Sequence, residues 1–150
     1  MKIGLRPAVL ADYDFCKSLY FTENQWILET LRLDREAHEV RFPEQWKLYE
    51  VRIILGDGVG IGWLQSVARQ DGLYLSHLYI ASSFQRQGIG ARIMSRVIAE
   101  AAQANLPLKL DVVKINPALR LYQRLGFRIS GEEEHKFNMT LDPAIYSSGT

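Results

Sequence analysis

The sequence predicts an α/β fold with a mixed, mostly antiparallel sheet and flanking helices, in a single domain over residues 1–150. Three observations carry that expectation. The middle of the chain holds three successive β-rich stretches, 49–55, 59–67 and 73–80, joined by Gly56-Asp57-Gly58 and Gln70-Asp71-Gly72. Short turns between consecutive strands make them antiparallel. The strongest helical period, over 88–105, stands between the stretch 73–80 and another strand at 108–113. Such a strand-helix-strand unit gives a parallel pair with a right-handed crossover. Finally, strand and helix periods alternate along the chain with no repeat and no linker-like segment between them.

The elements follow in order. Residues 2–6 are short, alternate in polarity and meet Pro7, as an edge strand does. Asp12 can cap a helix to about residue 20, with Tyr13, Cys16, Leu19 and Tyr20 at helical spacing. A second helix is expected over 24–39, with Ile27, Leu28 and Leu31 on one face. The segment 41–47, with Pro43 and Trp46, gives no clear period. Strand 73–80 is apolar at nearly every position, which suits a central strand covered on both faces. Helix 88–105 carries Ile89, Ile93, Val97, Ile98 and Ala101 on one face and stops at Asn105 and Pro107. A short helix over 117–125 starts with Pro117 behind Asn116 and ends at Gly126. Strands at 127–130 and 136–141 close the sheet, and a loose tail is expected from about residue 143.

Bulk composition narrows the class. Hydrophobic residues make up 47 % and charged residues 23 % of 150, enough to bury a core without disulfides or metals. Lys and Arg total 18 against 17 Asp and Glu, for a net charge of +1. That balance lacks the basic footprint of a nucleic-acid binder. One cysteine, Cys16, cannot form an internal disulfide, which fits a reducing compartment. Charges at Lys2, Arg6, Asp12 and Asp14 interrupt the N-terminal stretch, so it does not read as a signal peptide. No run approaches 18 apolar residues, so no membrane span is expected. The expectation is a soluble cytoplasmic protein.

Two segments carry candidate chemistry. In the first, strand 73–80 runs through a loop into Gln85-Arg86-Gln87-Gly88-Ile89-Gly90-Ala91, which opens a helix. N–H groups at a helix start have no intrahelical partner, and the helix dipole adds positive potential. Glycines there let a ligand reach the backbone, so the turn suits a diphosphate, with Arg86 able to add charge. The plainer alternative is a tight turn in which glycine only relieves crowding. Neither GxGxxG nor GxxxxGK[ST] is present. The second segment is Asn116-Pro117-Ala118-Leu119-Arg120-Leu121-Tyr122-Gln123-Arg124-Leu125-Gly126-Phe127, an amphipathic helix in which Tyr122 could simply be a buried tyrosine with a satisfied hydroxyl.

Taken together the two segments resemble a known family. Gln85-x-x-Gly88-x-Gly90 resembles the [Arg/Gln]-x-x-Gly-x-[Gly/Ala] acyl-CoA signature of the GNAT (GCN5-related N-acetyltransferase) superfamily. Asn116 to Phe127 is similar to that family's Asn-x-x-Ala-x-x-Leu-Tyr-x-[Lys/Arg]-x-Gly-Phe segment, and the order and separation match. Leu5-Arg6-Pro7-Ala8 with Asp12 adds a looser likeness, while residues 23–47 match no specific pattern.

The resemblance implies a GNAT-like fold whose central parallel strands splay apart, and an enzyme that moves an acetyl group from acetyl-CoA to a primary amine by direct attack in a ternary complex. Backbone groups of Leu78, Tyr79 and Ile80 would pair with the pantetheine arm. Gln85, Arg86, Gln87, Gly88, Ile89, Gly90 and Ala91 would hold the diphosphate, and Asn116 would bond the pantetheine. Tyr122 would stand beside the thioester sulfur and protonate the departing thiolate. A backbone N–H on the splayed strand would stabilise the oxyanion.

No metal is implied. Some relatives carry Glu or His where this chain has Tyr74 and Ser76, so the base is left to a water relay. His77 points to the opposite strand face and reads as packed. Cys16 reads as packing rather than as a nucleophile.

The acceptor region would be 21–46 with the loop before the last strand, where Glu23, Trp26, Tyr74 and Ser76 are candidate substrate contacts. Most aromatics there read as core, and Glu132, Glu133 and Glu134 as a solvated turn. The expected acceptor is a small amine or amino-acid-like molecule. Alternatives are a protein N-terminal or lysine acetyltransferase, and a CoA-binding sensor without turnover. Homodimers are common in the family.

Overall fold

The computed structural model describes residues 1–143; the tail expected beyond residue 143 lies outside the described residues. Seven strands form one hydrogen-bonded order, β1-β2-β3-β4-β5-β7-β6. They are β1 (Ile3–Pro7), β2 (Val51–Gly56), β3 (Val59–Arg69), β4 (Gly72–Ile80), β5 (Leu108–Val113), β6 (Arg128–Glu132) and β7 (Lys136–Leu141). The helices are α1 (Tyr13–Thr30), α2 (Arg35–Gln45), α3 (Ile89–Gln103) and α4 (Ala118–Arg124). The fold is α/β with a mixed sheet, as the sequence predicts. The β4–β5 pairing is parallel and covers Leu73–Leu75 against Leu108–Leu110. The β1–β2, β2–β3, β5–β7 and β6–β7 pairings are antiparallel.

By internal packing the chain forms two compact units, Met1–Gln65 with His77–Arg92, and Ser66–Ser76 with the chain from Ile93 onward. The first unit holds β1, β2, α1, α2 and an aromatic-rich core. Phe42, Trp46, Val51, Ile53 and Trp63 are buried there with Cys16, Leu19, Phe21 and Leu28 of α1. Edge-to-face geometry links Phe42 to Trp63 at 6.2 Å and Tyr13 to Trp46 at 5.3 Å. Such aromatic pairs add about 0.5–1.5 kcal/mol beyond area burial. The β2–β3 turn uses φ of +49° at Asp57 and +81° at Gly58. Two left-handed residues in succession match the right-handed twist of a tight hairpin. The second unit buries Leu73, Leu75, Leu108, Leu110 and Val112 with Ile93, Val97, Ala101, Phe127 and Met139.

The helices differ from the sequence expectation at two places: α2 runs on through Pro43 to Gln45, where the sequence gives no clear period, and the break between α1 and α2 is displaced. Instead of a break between residues 20 and 24, α1 runs unbroken to Thr30. Asn24, where the sequence predicts the second helix to begin, returns its side-chain N–H to Tyr20 O at 2.8 Å inside the helix. The break falls at Arg32, whose φ is +52°. There Leu33 N–H donates to Leu28 O at 2.9 Å, closing the helix by a left-handed residue. Asp34 then caps α2 by accepting from the N–H groups of Glu36 and Ala37. Asn105 ends α3 in the same way, with φ of +55° and Leu106 N–H on Ala101 O at 3.0 Å.

Candidate functional site

β4 ends at Ile80, and a single 3-10 turn at Ser82–Phe84 leads into the start of α3. Phe84 N–H donates to Ala81 O at 2.9 Å and Gln85 N–H to Ser82 O at 3.2 Å. Arg86 and Gly88 then take left-handed φ values of +63° and +77°. Gly88 does so without steric penalty, whereas Arg86 bears a cost of about 1–2 kcal/mol. A Cβ placed on Gly88 or on Gly90 meets no heavy atom within 4 Å. The glycines therefore do not relieve crowding. They leave the backbone open to approach from outside.

Gln85 through Gly88 are exposed, and Ile89 alone turns inward. Arg92 N–H bonds Gly88 O at 3.1 Å, so the amides ahead of it lie in the first turn of α3, without acceptors inside the helix.

One amide group ties this turn to the rest of its unit. Gln85 Nε2 donates to Ile80 O at 2.7 Å and also to the carboxylate of Glu23 on α1. Glu23 falls at helical spacing with Cys16, Tyr20 and Ile27, on the stripe of α1 that carries buried residues. The sequence reading placed Glu23 in the acceptor region and did not foresee this bond. The signal available was a carboxylate on an otherwise apolar stripe.

His77 sits on the face of β4 that meets α1. Its ring lies 5.2 Å from Trp63, 5.6 Å from Tyr20 and 5.7 Å from Tyr79, and Nδ1 is 3.0 Å from the Tyr79 hydroxyl. Burial among these rings pushes the imidazole pKa down to about 4, so it is neutral at physiological pH and a weak base. The packed histidine expected from strand alternation is what the geometry gives. Cys16 is fully buried, and burial raises its thiol to about 11. A thiol held protonated in this way is not a nucleophile.

Asn116 and Tyr122 belong to the second unit. Asn116 Oδ1 accepts from Ala118 N–H at 3.0 Å, tying the side chain to the start of α4. Gly126, at φ +103°, ends α4, and Phe127 N–H returns to Tyr122 O at 3.0 Å. The Tyr122 and Phe127 rings meet at 5.7 Å. This is the apolar contact that accompanies a left-handed helix stop. The Gly126-Phe127 pair thus fixes the backbone and one ring face of Tyr122. Desolvation raises the Tyr122 hydroxyl above its ordinary pKa, so it stays protonated and able to donate.

The remaining candidates fall in both units. In the second unit Tyr74 donates its hydroxyl to Asp71 at 2.7 Å, with Lys109 5.6 Å from its ring, and Ser76 is exposed. Trp26 is 42 % exposed, while Phe21, Phe42 and Trp46 are core. In the acidic run, Glu132 pairs with Lys114 and Glu133 with Lys136, as a solvated turn does. A groove of about 280 Å³ between α1 and α2 is lined by charges of both signs, Asp14, Lys17, Arg35 and Glu39. No helix among the described residues is long and apolar enough to cross a membrane.

The sequence matches the acetyltransferase (GNAT) domain family over residues 33–142, most of the chain. The chain belongs to the GNAT acetyltransferase family. Solved structures agree on the fold of this GNAT domain. PaiA N-acetyltransferase from Thermoplasma acidophilum, solved in complex with coenzyme A, superposes with a TM-score of 0.67 at 16 % identity, covering 95 % of this chain and 99 % of that one. Ard1 from Thermoplasma volcanium gives 0.67 at 15 % identity, covering 94 % and 97 %. The ribosomal-protein-S18-alanine N-acetyltransferase from Escherichia coli gives 0.62 at 16 % identity and 93 % of each chain. No curated protein matches the sequence.

Proposed function

We propose that this GNAT domain transfers an acetyl group from acetyl-CoA to the primary amine of a small, amino-acid-like acceptor, by direct attack within a ternary complex. The observation that carries the reading is the exposed Gln85–Gly90 turn, with Gly88 left-handed at φ +77° and free space where a Cβ would stand. An unobstructed run of amides at a helix start favours a diphosphate over a neutral ligand. Arg86 adds a cation on the same exposed turn. Backbone groups of Leu78, Tyr79 and Ile80 would receive the pantetheine. Asn116, held through its Oδ1, would offer its amide N–H groups to a pantetheine carbonyl.

Each residue then has a definite task. The amine nitrogen attacks the thioester carbonyl, a C–N bond forms, and the C–S bond breaks as the tetrahedral intermediate collapses. Tyr122, which desolvation keeps protonated, gives its proton to the departing thiolate. A water relay takes the proton from the amine, since His77 is a weak base and β4 carries no carboxylate at Tyr74 or Ser76. Binding both reactants in one site lowers the entropic barrier.

The test begins with thermal shift. Acetyl-CoA and CoA are expected to raise the unfolding midpoint by mass action, and ADP, which offers the diphosphate without the pantetheine, by much less. Release of free CoA thiol over a panel of amines then separates a transferase from a binding module. Tyr122→Phe is expected to lower kcat by about 10- to 100-fold with little change in acetyl-CoA affinity. Equal kcat in the two proteins removes Tyr122 as the acid. Binding of acetyl-CoA without turnover on any amine, peptide N-terminus or lysine overturns the transferase reading in favour of a sensor.

A further inference from the structure

The side chain of Gln85, at the head of the turn proposed to receive the diphosphate, bonds back to its own strand end and to α1. Its two amide N–H groups are both spent inside the protein, one on Ile80 O at the end of β4 and one on the carboxylate of Glu23, 62 residues away on α1. Three elements therefore meet at one primary amide: the strand end, the helix and the turn. The other ties of the turn are local: Gln87 Nε2 donates to Ser83 O at 3.3 Å, and Gly88 O accepts from Arg92 N–H. Its own backbone bonds among residues 84–88 are the short-range ones from Phe84 and Gln85 N–H, and Arg86 is held in a left-handed conformation that costs energy when unsupported. A charge-assisted bond is about twice as strong as a neutral one and fixes geometry as well as energy. Glu23 is a half-buried carboxylate on the stripe of α1 that otherwise carries Cys16, Tyr20 and Ile27.

We infer that Glu23 is a positioning residue: through the side-chain amide of Gln85 it holds the Gln85–Gly90 turn against the end of β4 in the shape that receives the acyl-CoA diphosphate. The inference rests on the acetyl-CoA reading above for its ligand, but the link itself exists in the free protein. Pre-organising a turn lowers the ordering cost of binding without adding any contact to the ligand. Glu23 therefore affects acetyl-CoA affinity although it need not touch acetyl-CoA. A neutral acceptor in its place keeps the link and removes a negative charge from beside an anion site.

The experiment compares wild type, Glu23→Ala, Gln85→Ala, the double alanine variant and Glu23→Gln by calorimetric titration with acetyl-CoA and by hydrogen exchange without ligand. Each alanine variant is expected to weaken binding by roughly tenfold, and the double variant by no more than either alone, because both remove the same link. Glu23→Gln should bind within about twofold of wild type or more tightly, since its amide oxygen still accepts from Gln85. In the free protein, Glu23→Ala and Gln85→Ala should speed exchange at the Phe84 amide, while core amides of α1 stay protected. Alanine variants that multiply their losses, or that bind as wild type does, overturn the inference, as does unchanged exchange at Phe84. Wild-type protein that fails to bind acetyl-CoA counts against the proposed function, and in that case the exchange result alone decides whether Glu23 holds the turn.

Discussion

Replacing Gly88 and Gly90 by alanine, one at a time, puts opposite demands on two glycines only two residues apart. At Gly88 no atom lies within 4 Å of the new Cβ, so the whole folding cost comes from holding an L-residue at φ +77°. That cost is about 1–2 kcal/mol. At about 2–4 °C per kcal/mol for a chain of this size, the midpoint should fall by several degrees.

Gly90 is the second residue of α3, has equally open surroundings and does not use a left-handed φ. Alanine there reduces the freedom of the unfolded chain and favours the helix, for a gain of up to about 0.5–1 kcal/mol. The ligand separates the two further. The Gly88 methyl would stand where a diphosphate must approach, and a loss of about 1.4 kcal/mol or more would be tenfold or more in affinity. Alanine at Gly90 satisfies the acyl-CoA signature and should keep affinity. Circular dichroism melts with and without acetyl-CoA, paired with calorimetric titration, read both effects. A Gly88→Ala protein as stable as wild type and equal in acetyl-CoA affinity refutes both the left-handed turn and its role as an anion site.

Other expectations follow from burial. His77 is neutral in the native state down to about pH 4, whereas in the unfolded chain it titrates near 6.5. Its contribution is thus fully present above pH 6.5 and is lost as pH falls toward 4, by no more than about 3 kcal/mol. Urea unfolding of His77→Phe should show a flatter pH dependence between 6.5 and 4.5, and curves parallel to wild type would contradict the desolvated imidazole. Cys16 should resist a maleimide at pH 8 in native protein and react fully in denaturant; rapid native labelling would place the thiol at the surface. In Gly62→Ala the new Cβ would run into the Tyr79 carbonyl oxygen and lie 3.2 Å from Ile80 Cα, backbone atoms that cannot swing aside. A loss of about 1–3 kcal/mol is expected in urea unfolding, and an unchanged midpoint would mean that β4 moves freely there.

Strands were legible wherever turn chemistry and period agreed. Asp57-Gly58 announces its hairpin because only a left-handed pair closes it, and the apolar run of β4 marks a mid-sheet strand, although its Tyr74–Ser76 face is not fully covered, since Ser76 is exposed. The α1–α2 boundary was not legible. Asn24 carries the residue type of a cap but spends its side chain on Tyr20 O, while the actual stop uses Arg32, a residue with no particular taste for left-handed φ. Tertiary packing of Leu28 and Leu33 around that stop outweighs local preference. At the candidate site the Gly88 turn and the Asn116–Phe127 segment were readable because each is a local motif. The Glu23–Gln85 bond was not, since nothing local relates residues 62 apart.

All three tryptophans, Trp26, Trp46 and Trp63, lie in the unit formed by Met1–Gln65 and His77–Arg92. Intrinsic indole emission is consequently a reporter of that unit alone, while far-ultraviolet dichroism samples helices and strands of both. The protein thus carries a built-in check on cooperativity: coincident curves by the two signals mean that both units unfold in a single all-or-none step, and separated curves mean that one unit persists after the other has melted.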